Sequence, residues 1–243
     1  MVRRTALLVP LLLAACSAPG EPAAPAGESH PPPRAAGAPP DRAGYPAHWW
    51  AEVPRAEAKS WEILPQDAGP GEVILSKRHE LGLLSNFAAT PFTFRGRRYA
   101  SLEGFWQHMK YPEGPQDPRA APGREWKLTR EQVAGLTAFE AHAAGDAAEE
   151  HMKALGIEWV SFEGERIEYR GAGQARHLAL IEAATWEKLR QNPEVRRALL
   201  ATGDLVLAPD HHQKPDSPPA WRYYEIWMRI RSALQRGEEP EPQ

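Results

Sequence analysis

A long stretch rich in Pro, Ala and Gly limits where this chain can fold. Residues 17–46 read SAPGEPAAPAGESHPPPRAAGAPPDRAGYP and show no apolar periodicity. Such a segment buries too little apolar surface to offset the entropy of ordering, so residues 16–46 are predicted to form an extended tether. We expect one folded domain at residues 47–236, because about 190 residues suit a single core. A polar tail is expected at residues 237–243.

The residues before the tether have the pattern of an export signal. Two arginines precede an apolar run, residues 6–15, which is too short to span a bilayer. The run ends in LAAC, which resembles a bacterial lipobox, and Cys16 is the only cysteine of the chain. We expect residues 1–15 to be a cleaved signal peptide and Cys16 to carry lipid. The protein would then be lipid-anchored in the cell envelope, at the outer membrane. A secreted protein with a chance cysteine is the alternative.

Charge and cysteine content exclude several classes of function. Loss of Arg3 and Arg4 leaves 27 of the 29 basic residues against 32 acidic ones, a net charge of −5. An acidic domain lacks the basic face that a nucleic-acid duplex requires, so we expect no such partner. A single lipidated cysteine leaves no thiol for catalysis or for a cysteine zinc site. No P-loop, HExxH or GxSxG motif occurs, and no GxGxxG follows a predicted strand.

Short hairpins and a series of helices make up the predicted fold. Apolar and polar residues alternate around the turns Arg95-Gly96 and Glu163-Gly164, which predicts two hairpins, and a strand is predicted at residues 71–78. Apolar residues recur at helical spacing in segments 101–111, 129–156, 173–192, 193–203 and 219–234. Helix exceeds strand, so the predicted class is α+β, mostly helical, with a small antiparallel sheet of two hairpins.

The helix predicted after the first hairpin carries polar residues suited to a binding site. Ser101 is its predicted N-cap, and Glu103 lies in the first turn, where the helix dipole favours an ionised carboxylate. Trp106, Gln107 and Lys110 follow at i+3, i+4 and i+7, on the same side as Glu103. A solvated helix face rarely contains a tryptophan, which favours a site for a ligand. The alternative is that Glu103 is an ordinary first-turn acid.

Residues before this helix extend the candidate site. Ser85 and Asn86 favour a turn in which the Asn86 amide binds either a ligand or the local backbone, as in an Asx-turn. Arg97 and Arg98 follow the hairpin turn, and an arginine there could hold a phosphate with two hydrogen bonds. Because neighbouring residues of a strand point to opposite faces, we expect at most one of the two to do so.

A metal site is a further alternative, near the C-terminus. Its candidate ligands are Asp210, His211, His212 and Asp216. The loop is rich in proline and therefore preorganises ligands poorly, and adjacent histidines rarely bind the same ion. We therefore expect no metal.

Two blocks of the sequence resemble the NADAR or YbiA-like family. The second block, KLRQNPEVRRALLATGDLVL at residues 188–207, is similar to the family pattern KF-x-Q-N-x-x-L-x-x-x-L-L-x-T-G. The similarity spans about residues 72–207, with an insertion around residues 149–173. The first block follows the family pattern of SNF, a hairpin with a glycine turn, and S/T-x-E-H-x-x-Q-x-x-K; its matching residues are Ser85, Asn86, Phe87, Pro91, Gly96, Tyr99, Ser101, Glu103, Gln107 and Lys110.

The resemblance implies a small, mostly helical protein with N-glycosidase activity. Members of the family include enzymes that act on phosphorylated riboflavin intermediates and relatives that act on ADP-ribose derivatives. The expected substrate is therefore a phosphorylated N-riboside or an ADP-ribose-type compound, with no cofactor. Glu103 is expected to stabilise an oxocarbenium-like transition state and to orient water. The expected substrate-binding residues are Asn86, Phe87, Arg97, Arg98, Trp106, Gln107, Lys110, Asp216 and Trp221.

The chain also departs from the family pattern. The family's histidine after the glutamate is Gly104 here, and the acid of its L-V-E step is Leu207. The W-G step is missing, so Asp210 or Asp216 would supply the acid and Trp221 the aromatic ring. These departures favour an alternative function, a catalytically weak envelope lipoprotein that binds nucleotide-like or ADP-ribose-like ligands.

Overall fold

The computed structural model describes residues 42–121, 123 and 125–243. The predicted signal peptide at residues 1–15, the lipidation site Cys16 and most of the tether lie outside the described residues. The envelope location and the lipid anchor therefore stay predictions from the sequence. None of the helices in the described ranges combines the length and apolar character needed to cross a bilayer.

Helices form most of the regular structure, and all the strands are short. The described helices are α1 (Leu102–His108), α2 (Arg130–Ala134), α3 (Ala138–Ala154), α4 (Gln174–Gln191), α5 (Pro193–Ala201) and α6 (Tyr223–Gln235). The described strands are β1 (Glu72–Ile74), β2 (Phe92–Phe94), β3 (Arg97–Tyr99), β4 (Trp159–Phe162), β5 (Glu165–Glu168) and β6 (Val206–Ala208). The predicted α+β, mostly helical class is confirmed.

Both predicted hairpins are present, at β2–β3 and β4–β5. Their turns have positive φ at both central residues, +48° and +75° at Arg95 and Gly96, and +51° and +81° at Glu163 and Gly164. This is the backbone that a two-residue hairpin turn requires. Each hairpin forms a two-stranded sheet of its own. A third pair, parallel β1–β6 with Val73 opposite Leu207, was not predicted as a pair, because its strands are distant in sequence.

The helix predicted at residues 129–156 is in fact two helices, α2 and α3. The break lies between Ala134 and Ala138, and Ala138 has a φ of +49°. A tertiary contact accompanies the break: Ser101 Oγ donates a hydrogen bond to the Leu136 carbonyl, which faces α1.

Aromatic packing against the two hairpins holds α1 in place. The ring of Phe105 in α1 lies 4.9 Å from that of Tyr99 and 5.7 Å from that of Phe162. Phe94 stacks on Phe162 at 5.8 Å, so the two hairpins also contact each other. Ser101 caps α1 as predicted, because its Oγ accepts a hydrogen bond from the Gly104 amide. The helix that carries Glu103 is thus seated on a rigid aromatic core.

Candidate active site

A cavity of about 550 Å³ lies beside α1. Its other walls are α3, α4, the segment before α6 and the loop that follows β1. This volume suits a small molecule of nucleotide size. Of the residues predicted from the sequence, the ones that line the cavity are Asn86, Phe87, Glu103, Trp106, Gln107, Lys110 and Trp221.

Glu103 is a buried carboxylate at the wall of this cavity, only 5% exposed. Gln107 Nε2 donates a hydrogen bond to Glu103 Oε1 at 2.7 Å, and His142 Nδ1 lies 3.3 Å from the same oxygen. The backbone amide of Glu103 donates to the Asn86 carbonyl at 2.9 Å. One carboxylate oxygen is thus held from two sides, while Oε2 accepts no hydrogen bond from the described residues. This geometry fixes the carboxylate and leaves one oxygen for a ligand.

Three pairs of residues join α1 to α3 along one face. Glu103 meets His142, Gln107 lies against Gly145, and Lys110 Nζ lies 3.0 Å from Glu149 Oε2. The α1 positions are separated by four and three residues and the α3 positions by three and four, which is the spacing of one helix face. A Cβ at position 145 would overlap Gln107 Oε1, so glycine allows the two helices to approach closely. The predicted face of α1 therefore exists, and α3 supplies its partner.

Lys110 is less accessible than the sequence suggested. Its ammonium lies 3.0 Å from the Glu149 carboxylate and 5.5 Å from the centre of the Trp106 ring, and only 5% of its side chain is exposed. A phosphate at Lys110 must therefore compete with Glu149. Half of the Glu149 side chain is exposed, so it can move aside at little cost.

Aromatic rings form another wall of the cavity. The Trp106 ring packs on His177 at 4.5 Å and lies 6.5 Å from the Trp221 ring. Burial lowers the pKa of His177 to about 4, so its ring is neutral and acts as a flat surface. Trp221 Nε1 and Tyr223 Oη are buried without a hydrogen-bond partner among the described residues. Unpaired buried polar atoms cost about 1–3 kcal/mol each, which favours a ligand with polar edges.

The SNF segment is held against α1 by a buried lysine. Lys188 Nζ in α4 donates to the Ser85 carbonyl at 2.8 Å, and Lys188 is 0% exposed. Burial lowers the pKa of Lys188 to about 7. The local turn bond is made by Ser85, whose Oγ accepts from the Phe87 amide, and not by the Asn86 side chain as an Asx-turn would require. The sequence alone had left both roles of Asn86 open.

Three residues of the predicted site lie elsewhere. Arg97 and Arg98 in β3 are both exposed and do not line the cavity, and Arg97 lies 3.7 Å from Glu131. The prediction that an arginine of this pair holds a phosphate at the Glu103 site is therefore not supported. Asp216 is also exposed and outside the cavity lining. Asp210, the other candidate for the family acid, is 1% exposed and lies 2.5 Å from Nζ of Lys77, which does line the cavity.

Several residues of the cavity escaped the sequence reasoning. His142 and Lys77 are the most important, and Lys77 lies 5.0 Å from the Trp61 ring and 5.3 Å from the Phe87 ring. His142 contacts Glu103, which belongs to an element distant in sequence, and Lys77 contacts Phe87. The one available signal for His142 was its helical spacing to Gly145 and Glu149, which matches the spacing of Glu103, Gln107 and Lys110.

The residues that raised a metal alternative do not form a ligand set. Asp210 binds Lys77 and lies 3.2 Å from His211 Nδ1, while His212 and Asp216 are exposed. Within residues 42–121, 123 and 125–243, no group of three or more His, Cys, Asp or Glu side chains is placed to hold a metal ion.

Comparisons with known proteins add one structural similarity. No protein-family model matches the chain, and no curated protein matches it. Among solved structures, the NMR structure of the E. coli protein YbiA matches with a TM-score of 0.44 and 18% identity, over 71% of this chain and 90% of that one. A similarity at this level carries no argument about function. Membership of the NADAR or YbiA-like family stays a prediction from the two sequence blocks.

Proposed function

We propose that this protein hydrolyses the N-glycosidic bond of a phosphorylated N-riboside or an ADP-ribose-type compound. The observation that carries the proposal is the buried Glu103 carboxylate, whose Oε1 is fixed by Gln107 and His142 at the wall of a nucleotide-sized cavity. The two sequence blocks that resemble the NADAR or YbiA-like family agree with this chemistry.

The proposed chemistry uses the fixed charge of Glu103. Breaking a C1′–N bond builds positive charge on the sugar, as in an oxocarbenium ion. A carboxylate that is already oriented stabilises this charge without reorganising, and its free oxygen can orient the attacking water. Glu103 sits in the first turn of α1, near the positive end of the helix dipole.

The remaining residues of the cavity are proposed to bind the substrate. Trp106 and Trp221 offer flat surfaces for the base. Lys77 and Lys110 are the two lysines of the lining, and Lys77 is the more exposed, with 31% of its side chain accessible. We therefore assign the phosphate first to Lys77 and then to Lys110, in place of Arg97 and Arg98.

The test is base release by purified protein. Wild type is incubated with a panel of phosphorylated N-ribosides and ADP-ribose compounds, and free base is followed by chromatography. Glu103→Gln keeps the shape but removes the charge, so turnover should fall about a hundredfold or more, roughly 3 kcal/mol of transition-state stabilisation. Substrate binding should change much less, because the ground-state sugar carries no positive charge.

Glu131→Gln is the matched control for this experiment. Glu131 is also a first-turn acid, in α2, but it is exposed and outside the cavity. Its substitution should leave turnover unchanged. Activity that survives Glu103→Gln at the wild-type rate contradicts the proposed role.

A second candidate is a binding protein for nucleotide-like ligands. The missing W-G step favours it. In that case wild type binds members of the panel without releasing base, and Glu103→Gln changes only the affinity.

A further inference from the structure

We propose that His142 is the general acid of this reaction and donates a proton from Nε2 to the nitrogen of the leaving base. The inference rests on the proposed N-glycosidase function and goes beyond it, because nothing in the sequence pattern assigns a proton donor. It also narrows the preferred substrates to neutral N-ribosides, whose leaving nitrogen needs a proton.

The geometry around His142 separates the tasks of its two ring nitrogens. Nδ1 lies 3.3 Å from Glu103 Oε1, within hydrogen-bond distance. Nε2 lies 3.8 Å from Asp146 Oδ2, which is too long for a hydrogen bond. The ring is therefore oriented by Glu103 through one nitrogen, while the other nitrogen keeps its proton available. His142 lines the same cavity as Glu103.

The packing of α1 explains why the histidine comes from another helix. In the family pattern a histidine follows the glutamate, at the position of Gly104. Here a Cβ at position 104 would lie 2.6 Å from the Leu136 carbonyl and 3.0 Å from that of Val133. No side chain fits there, because the corner between α2 and α3 packs on the glycine. That same corner begins α3, which brings His142 to Glu103.

The surrounding charges favour the protonated imidazole. The hydrogen bond and charge of Glu103 raise the pKa of His142, Asp146 on its own helix acts in the same direction, and burial and Lys110 oppose them. The net direction is upward. Half of the His142 side chain is exposed, so it can regain a proton from solvent after each turnover.

The proposed step balances atoms and charge. The C1′–N bond breaks, its electron pair goes to the leaving nitrogen, and the Nε2 proton of His142 neutralises that nitrogen. Water oriented by Glu103 forms the C1′–O bond and gives its proton to the carboxylate. Glu103 then releases this proton to solvent and His142 takes one up, so the net reaction consumes one water.

The test compares two phosphorylated N-ribosides that differ in their need for a proton. Adenosine 5′-monophosphate has a neutral base that must be protonated to leave, whereas nicotinamide mononucleotide has a cationic base that leaves without protonation. His142→Gln keeps a hydrogen-bonding group beside Glu103 but cannot supply the proton. It should slow adenine release about a hundredfold or more and nicotinamide release less than about threefold. Glu103→Gln should slow both.

The pH dependence gives a second readout on the wild type and the variant. Adenine release by wild type should fall at alkaline pH as His142 loses its proton, and His142→Gln should lack this fall. His212→Gln, a change at an exposed histidine outside the cavity lining, serves as control and should behave as wild type. If wild type cleaves only adenosine 5′-monophosphate, the pH profiles of wild type and His142→Gln alone decide whether His142 is the general acid.

Distinct outcomes overturn the two proposals. If wild type releases base from these two compounds and from every other member of the panel at no detectable rate, the N-glycosidase function fails and His142 has no reaction to serve. If wild type cleaves only another member with a neutral base, His142→Gln and the pH profile are measured on that compound. If wild type is active but His142→Gln slows both substrates equally, or leaves adenine release and its pH profile unchanged, only the general acid is refuted. Cleavage of nicotinamide mononucleotide alone also refutes it.

Discussion

Glu103 and Lys188 are ionisable residues that are both buried beside the SNF segment, residues 85–87. Glu103 binds the Asn86 carbonyl through its amide, and Lys188 binds the carbonyl of the preceding residue, Ser85. A lysine buried without a carboxylate partner costs free energy in its charged form. Its retention here at a carbonyl of the SNF segment indicates that it positions this segment against α1.

Lys188 should make the stability of the protein depend on pH. Its pKa is about 7 in the folded state against an ordinary 10.5 in the unfolded chain. Between these values the unfolded chain holds a proton that the folded state lacks, so the free energy of unfolding rises with pH, by at most about 1.4 kcal/mol per unit. Below pH 7 both states are protonated and the dependence vanishes.

Lys188→Met removes this titration. The free energy of unfolding of both proteins is measured in urea at pH 7 and at pH 9.5. The difference, wild type minus variant, should increase by about 1–3 kcal/mol from pH 7 to pH 9.5. Tyrosines that titrate in the same range are common to both proteins and cancel in the difference. A difference that does not change with pH would show that Lys188 is neutral, or charged, in both states.

At the scale of elements, the site depends on how closely α3 approaches α1. Gly145 permits this approach, because any Cβ there overlaps Gln107 Oε1. Alanine is the better helix former by about 1 kcal/mol, so a change to alanine would stabilise α3 if the helix were free. The overlap opposes this gain and moves the side chain that holds Glu103.

Gly145→Ala should therefore lower both stability and turnover. We expect a loss of about 1–3 kcal/mol in the free energy of unfolding, from overpacking, and lower base release as the Gln107–Glu103 bond is disturbed. The control is Gly145→Ala combined with Gln107→Ala, which removes the overlapping group. The free energy of unfolding of the double variant should be higher than that of Gln107→Ala alone, because alanine at position 145 no longer overlaps a neighbour. Destabilisation of equal size in both backgrounds would exclude the overlap as its cause.

The sequence predicted the structural features that depend on residues close together in the chain. The hairpin turns at Arg95-Gly96 and Glu163-Gly164 and the Ser101 cap follow from residues within a few positions of each other, and all three are present. At the break between α2 and α3 the Leu136 carbonyl accepts a hydrogen bond from Ser101, and helical periodicity cannot reveal such a contact. Periodicity alone therefore does not locate such a break.

The same distinction holds for the candidate site. Glu103, Gln107 and Lys110 share a helix face, so their spacing alone placed them together. His142 and Lys77 come from other segments, and only the spacing of His142 to Gly145 and Glu149 offered a signal that α3 faces α1. For Arg97 and Arg98, strand alternation indicated that the two point to opposite faces but not which face meets the cavity. The structure places both outside it.

At the scale of the whole molecule, the residues before β1 support the strands and loops around the cavity. Trp49 is fully buried and its Nε1 donates to Glu80 Oε1 at 2.7 Å, while Trp50 Nε1 donates to the Glu72 carbonyl at 2.9 Å. Tyr45 Oη donates to Asp204 at 2.7 Å. Trp50 thus holds β1 through the Glu72 carbonyl, and Lys77 lines the cavity just beyond that strand. The start of the folded chain is thus connected to the site.

Two truncated proteins test this support. A protein that begins at Tyr45 keeps all three contacts, so it should unfold cooperatively in urea with the stability of the longer chain. One that begins at Glu52 loses both tryptophans, and truncating one buried tryptophan costs about 3–5 kcal/mol. The summed loss approaches the whole stability of a domain, about 5–15 kcal/mol. We expect this shorter protein to lack a cooperative transition and to release no base. A cooperative transition of unchanged midpoint would show that the core is complete without residues 45–51.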